Sequence, residues 1–223
     1  MIGDTARVHR QAQEHLAAGR AAQAEALYLN LLAQANVIDL EYNEWLEGAA
    51  KALRALGRDR QAGYVYLYLG RLDRAADLLP RDRYPGDAAR VLELRARPLL
   101  RGARDRAVVL LREAAQLYGA AGLHVLSAIA ASDAGEPAEA LRRWERVLAD
   151  PRLNGRSYEQ GLVHFNMGLL HRTTGEKAES HRHLVQAQQI LEELADDFEA
   201  RGERERAFDC YAILLQLGKE LES

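Results

Sequence analysis

Residues 158–192, YEQGLVHFNMGLLHRTTGEKAESHRHLVQAQQILE, hold two apolar runs at helical spacing, parted by one glycine. Ser157 stands three residues before Gln160, the spacing of a capping box, and opens the run 161–172. Gly175 can take the left-handed conformation that ends one helix and turns into the next. Five residues after it comes small Ser180, nine after it large Leu184, and seven before it small Gly168. Small residues facing inward on both helices let two axes approach, and the large one fills the groove between them. The stretch therefore predicts helices over 157–173 and 177–200.

The same frame recurs along the chain. Gly19, Gly57, Gly70, Gly102, Gly135 and Gly202 have Ala24, Ala62, Ala75, Ala107, Ala140 and Ala207 five residues on. Nine residues on stand Tyr28, Tyr66, Leu79, Leu111, Trp144 and Tyr211. Seven residues before stand Ala12, Ala50, Gly63, Ala128 and Ala195, with Arg95 the exception at Gly102. No single helix of this kind can bury its apolar stripe alone, so the pairs must stack. Apolar periodicity predicts further helices over 5–18, 21–35, 39–56, 58–69, 71–79, 87–100, 104–118, 121–133, 137–149 and 203–220. Pro137 fits a first helical turn, where its missing N–H is no loss, whereas Pro80, Pro85 and Pro151 fall between helices. Residues 63–69, GYVYLYL, alternate like a strand, but a lone strand would leave its backbone unpaired, so a helix is expected there.

Within this frame the residues resemble tetratricopeptide repeats. Met167, Gly168, Gly175, Ser180, Leu184 and Ala187 fall at that family's offsets, and 197–217 is similar through Gly202, Ala207, Tyr211 and Leu214. His164 replaces the aromatic residue that usually opens the first helix. Frame glycines lie 38, 13, 32, 33, 40 and 27 residues apart, against a regular period of about 34. The resemblance implies an all-α solenoid of about 12 helices, one domain over 1–223, distorted where short helices crowd 58–86. The 27-residue step implies one long helix over 177–200, shared by two pairs.

The resemblance also implies a function, a non-catalytic scaffold or adaptor that holds a peptide or partner helix in a concave groove lined by the first helix of each pair. Carried over by offset, the groove positions are Glu44, Glu47, Lys51 and Arg54 in one unit. In another they are Leu162, Phe165, Asn166, Leu169 and Arg172. A self-assembling structural element and a regulatory domain of a larger protein are the alternatives.

Composition limits other chemistry. With 48% hydrophobic and 28% charged residues the chain is too apolar for disorder. No stretch has the roughly 20 apolar residues of a membrane span. The start lacks a signal-type apolar core. The single cysteine, Cys210, allows no internal disulfide and points to a reducing, cytoplasmic setting. Its acidic neighbours, Glu203, Glu205 and Asp209, disfavour a thiolate, so it reads as a core residue. A net charge of −3 gives no general attraction to nucleic acid, and the arginines of 81–106 have only Tyr84 among them. That average conceals +8 over 51–112 and −6 over 176–223. His181 and His183 fall on different helix faces, while His164 and His171 flank the packing residue Gly168, so no metal or cofactor set is expected.

The last helix has too wide an apolar stripe. Ala207, Phe208, Cys210, Tyr211, Ile213, Leu214, Leu215, Leu217 and Leu221 cover roughly 220°. A terminal helix facing water needs only about 100°. Phe208 and Leu215, with Ile213 or Leu217, are expected to be covered by a second chain or by further repeats.

Overall fold

The computed structural model describes residues 2–35, 41–151 and 157–222. All regular structure among them is helical: α1 (Ile2–Ala17), α2 (Ala21–Gln34), α3 (Tyr42–Ala55), α4 (Asp59–Tyr68), α5 (Leu72–Leu78), α6 (Pro85–Ala96), α7 (Arg104–Ala120), α8 (His124–Asp133), α9 (Pro137–Leu148), α10 (Tyr158–Thr173), α11 (Lys177–Ala200) and α12 (Arg204–Leu221). A 3-10 turn, Arg97–Arg101, precedes α7. The first residues of the expected helix at 39–56 lie outside the described residues. The tyrosine-rich segment is helical, as α4. Two compact units divide the chain, Met1–Pro98 and Leu99–Ser223. Each is a short α-solenoid of tetratricopeptide-like antiparallel pairs, in which every helix packs on the next in sequence.

Among the described residues one turn is used seven times. Gly19, Gly57, Gly70, Gly122, Gly135, Gly175 and Gly202 all have φ between 67° and 83°. In each, the glycine N–H donates to the carbonyl three residues back, and the next residue donates to the carbonyl five back, at 2.8 to 3.2 Å. This is the Schellman arrangement, and it satisfies the last carbonyls of the outgoing helix. The residue after the glycine is at once the N-cap of the next helix, with ψ between 55° and 70°. Its carbonyl accepts from the small residue five positions after the glycine; for example, Ser180 N–H donates to the Glu176 carbonyl. The small position is thus the first hydrogen-bonded residue of the second helix, already pressed against the first. None of these caps uses a side chain; acidic residues in the first turn, such as Asp59, Glu139 and Glu179, complement the dipole instead.

Packing follows from the frame. A Cβ on Gly168 would lie 2.7 Å from Cγ of Leu184, and one on Gly63 2.7 Å from Cγ of Leu79. The small position seven residues before the turn is therefore where the large position nine after it seats. Tyr28 reaches onward and lies on Gly48 of α3. Ala12, Tyr28, Leu31, Trp45 and Ala52 form one core, and Ala50, Tyr66, Leu79 and Val91 a second. In the other unit, Phe165, Leu184, Leu191, Cys210 and Leu217 form a third.

Three expectations are corrected. Gly102 does not make the turn: it closes the 3-10 turn, Ala103 N–H donating to Leu99 at 2.8 Å. It is also the frame member with Arg95 in place of a small residue. Gly122 makes the turn instead, with Ala115 seven before it and Ser127 five after, so α7 runs to Ala120 and α8 starts at His124. Pro85 is not between helices but in the first turn of α6, where a fixed φ is favourable. α11 is the expected long helix, packed on both α10 and α12.

A methyl group on Gly168 has no room, because the crowding atom is the branch carbon of Leu184 rather than a flexible tip. Gly168→Ala is expected to destabilise the chain by about 1 to 3 kcal/mol. Chemical denaturation measures this, and Leu184→Ala in the same chain should recover part of the Gly168→Ala loss. A neutral Gly168→Ala would show that the two helices are not in this contact.

Candidate functional site

In the first unit α3 lines two adjoining clefts. α1 packs near α3 as well as on α2, leaving a cleft of about 500 Å3 that includes His9, Gln13, Glu44, Glu47, Gly48 and Lys51. Tyr28 floors it, because Gly48 offers no side chain to hold the ring off. A second cleft, of about 700 Å3, shares Lys51 and adds Arg54, Tyr66, Arg74 and Asp77. All four α3 positions expected from the sequence, Glu44, Glu47, Lys51 and Arg54, line this pair of clefts.

The groove carries both signs of charge. Glu47 accepts from Arg74 of α5 and lies 3.8 Å from Lys51. The Arg74 hydrogen bond holds the Glu47 carboxyl below its ordinary range. Arg74 also lies over the Tyr66 ring at 5.4 Å, a cation–π contact that steers its guanidinium toward α3. His9 stands edge-on to Tyr28 and Trp45, at 6.0 and 6.5 Å. Around Arg54 and Arg74 the cationic groups outnumber Asp77, whereas Glu44 and Glu47 mark the α1 end.

The expected α10 positions are differently placed. Phe165 is buried, and with Leu169 it packs in the core shared with Cys210 and Leu217 of α12. Asn166 donates to the Leu162 carbonyl of its own helix at 2.8 Å. Arg172 is held by the Glu220 carboxylate and backbone carbonyl. Of these α10 positions, Phe165 and Leu169 share a core with α12 and Arg172 is tied to Glu220, while Leu162 and Asn166 are half-buried. On α12 itself, Phe208 and Leu215 are 71% and 72% exposed, Ile213 is half-buried and Leu217 is fully buried. Tyr211, read as a core position, is 37% exposed.

A histidine cluster escaped sequence reasoning. His164 and His183 join through their Nδ1 atoms at 2.8 Å, and His171 stacks on His183 with ring centres 5.3 Å apart. His164 and His171 sit four before and three after Gly168, and His183 immediately precedes Leu184, which seats on that glycine. That adjacency was the available signal. Among the described residues no group of three or more His, Cys, Asp or Glu could hold a metal ion. Burial first, then the charges of His164 and Arg182, pushes His183 down to about 4, and burial also lowers His164. Above pH 6.5 both folded and unfolded states are neutral at His183, so its term is absent there. As pH falls from 6.5 toward 4 the unfolded chain takes up a proton that the folded chain refuses, and stability drops by on the order of 1 to 3 kcal/mol. Denaturant midpoints at pH 7.5 and 5 should show this loss, and His183→Gln should remove most of it. A wild type equally stable at both pH values would contradict the buried neutral cluster.

No family model matches the chain, and no curated protein matches it. Its fold is similar to solved helical-repeat structures. One is a Podosopora anserina putative kinesin light chain with nearly identical TPR-like repeats, at 18% identity and TM-score 0.42, covering 82% of this chain and 92% of that one. MamA is similar at 16% identity and TM-score 0.38, with 88% and 96% covered. BtubC from P. vanneervenii is similar at 18% identity and TM-score 0.38, with 98% and 92% covered. These likenesses concern helical-repeat architecture and carry nothing about partners.

Proposed function

We propose that the chain is a non-catalytic scaffold that holds an extended peptide or partner helix in the groove along α3. The observation that supports this is the pair of adjoining clefts, floored by Tyr28 and Tyr66 and rimmed by charges of both signs on well-packed helices. Aromatic floors give contact area at low entropic cost, and fixed charges set register and orientation. Carboxylates of the partner would meet Lys51, Arg54 and Arg74, the first and last of which have side chains half-exposed. Glu44 and Glu47 would favour a cation at the other end. Of the expected positions, those on α3 carry the proposal, because Phe165, Leu169 and Arg172 on α10 are already engaged within the chain. The lone, buried Cys210 supports a reducing setting such as the cytoplasm. Among the described residues no helix is long and apolar enough to cross a membrane.

Affinity capture with the wild type and with Lys51→Glu plus Arg54→Glu, read by mass spectrometry, identifies a partner that only the wild type retains. Its affinity should fall by about 1 to 3 kcal/mol in either single variant, as for a charge-assisted contact, and weaken with added salt. An identified partner that binds the double variant equally well would remove the α3 groove from the function.

A further inference from the structure

The exposed face of α12 carries a narrow, regularly spaced stripe. Arg204, Phe208, Tyr211, Leu215 and Glu222 fall within about 60° of arc at 100° per residue, with Gly218 at its margin. Their spacings, four, three, four, three and four, are those of a coiled-coil seam. Phe208 and Leu215, nearly three-quarters exposed, are the two most exposed large apolar residues among those described. The stripe is also complementary to itself in reverse. About Ile213 as centre, Arg204 is nine residues before and Glu222 nine after; Phe208 is five before and Gly218 five after; Tyr211 is two before and Leu215 two after.

We propose that α12 is the contact between two copies of this chain, packed antiparallel about a two-fold axis that crosses the stripe at the height of Ile213, whose own side chain turns inward to the core. In that register Arg204 of one copy meets Glu222 of the other at both ends. Phe208 enters the open position at Gly218, where a Cβ would meet nothing within 4 Å, and Tyr211 covers Leu215. Glu205 and Lys219 come together on one flank. The charges support a second copy over an unrelated occupant. Two charged groups of this helix are used internally, Arg206 on Glu203 and Glu220 on Arg172. Arg204, Glu205, Lys219 and Glu222 form no ion pair among the described residues. A two-fold antiparallel contact makes a closed dimer, since each patch is consumed by its own copy.

Sedimentation velocity of the 223-residue chain over a wide micromolar range tests this. The wild type should pass from monomer to dimer and stop there. Phe208→Glu with Leu215→Glu should weaken the dimer by about a hundredfold or more with helicity and unfolding midpoint retained, since both side chains face solvent. Arg204→Glu and Glu222→Arg should each weaken it, and the two together in one chain should restore it. Four results would each overturn the proposal: a wild type that stays monomeric, growth beyond a dimer, a dimer indifferent to the two glutamates, or a doubly swapped chain no tighter than either single swap.

Discussion

A glycine in the left-handed region, with the next residue serving as cap for the following helix, is the constraint from which the rest of this molecule follows. Two residues complete one helix and begin another, so the second must fold back along the first. The first hydrogen bond of the second helix then falls on the residue five after the glycine, which explains why that residue is Ala or Ser at every turn. A larger side chain there would separate the axes before the large residue one turn later could reach its seat. Backbone geometry and side-chain size are two readings of one requirement.

Irregular spacing does not break this rule, because the turn says nothing about how long the next helix must be. Where frame glycines are 13 residues apart, α4 is short and serves as second helix to α3 and first helix to α5. Where they are 27 apart, α11 spans both roles over 24 residues. The groove along α3 results from the first of these choices. A short α5 brings Arg74 beside Glu47 and puts Asp77 in the same cleft as Arg54, where a full-length pair would carry a different surface.

The fold was legible because it rests on local rules of this kind. Helix number, the helical state of the tyrosine-rich segment and the long α11 all followed from periodicity and the frame. Gly122 was missed because its large position holds Ala131, and Gly102 was accepted although Arg95 already marked it as different. The offsets on α3 select residues that line clefts, because Gly48 lets the Tyr28 ring lie against that helix. Those on α10 do not, since the packing of α12 over Phe165, Leu169 and Arg172 is a tertiary event with no offset of its own. The histidine cluster was hidden for a related reason: it is assembled from two helices around Gly168, and neither helix alone shows it.

The stack stands most directly on the handedness of the turn residue. Gly57 joins α3 to α4 at φ 71°, and nothing lies within 4 Å of a Cβ built there, so substitution reports backbone conformation rather than crowding. Replacing it by L-alanine and, through chemical ligation, by D-alanine gives two chains of identical composition and opposite preference. The L form should lose about 1 to 2 kcal/mol of unfolding free energy, while the D form should equal or exceed the glycine chain. Equal losses in the two forms would contradict the turn on which the stack is built.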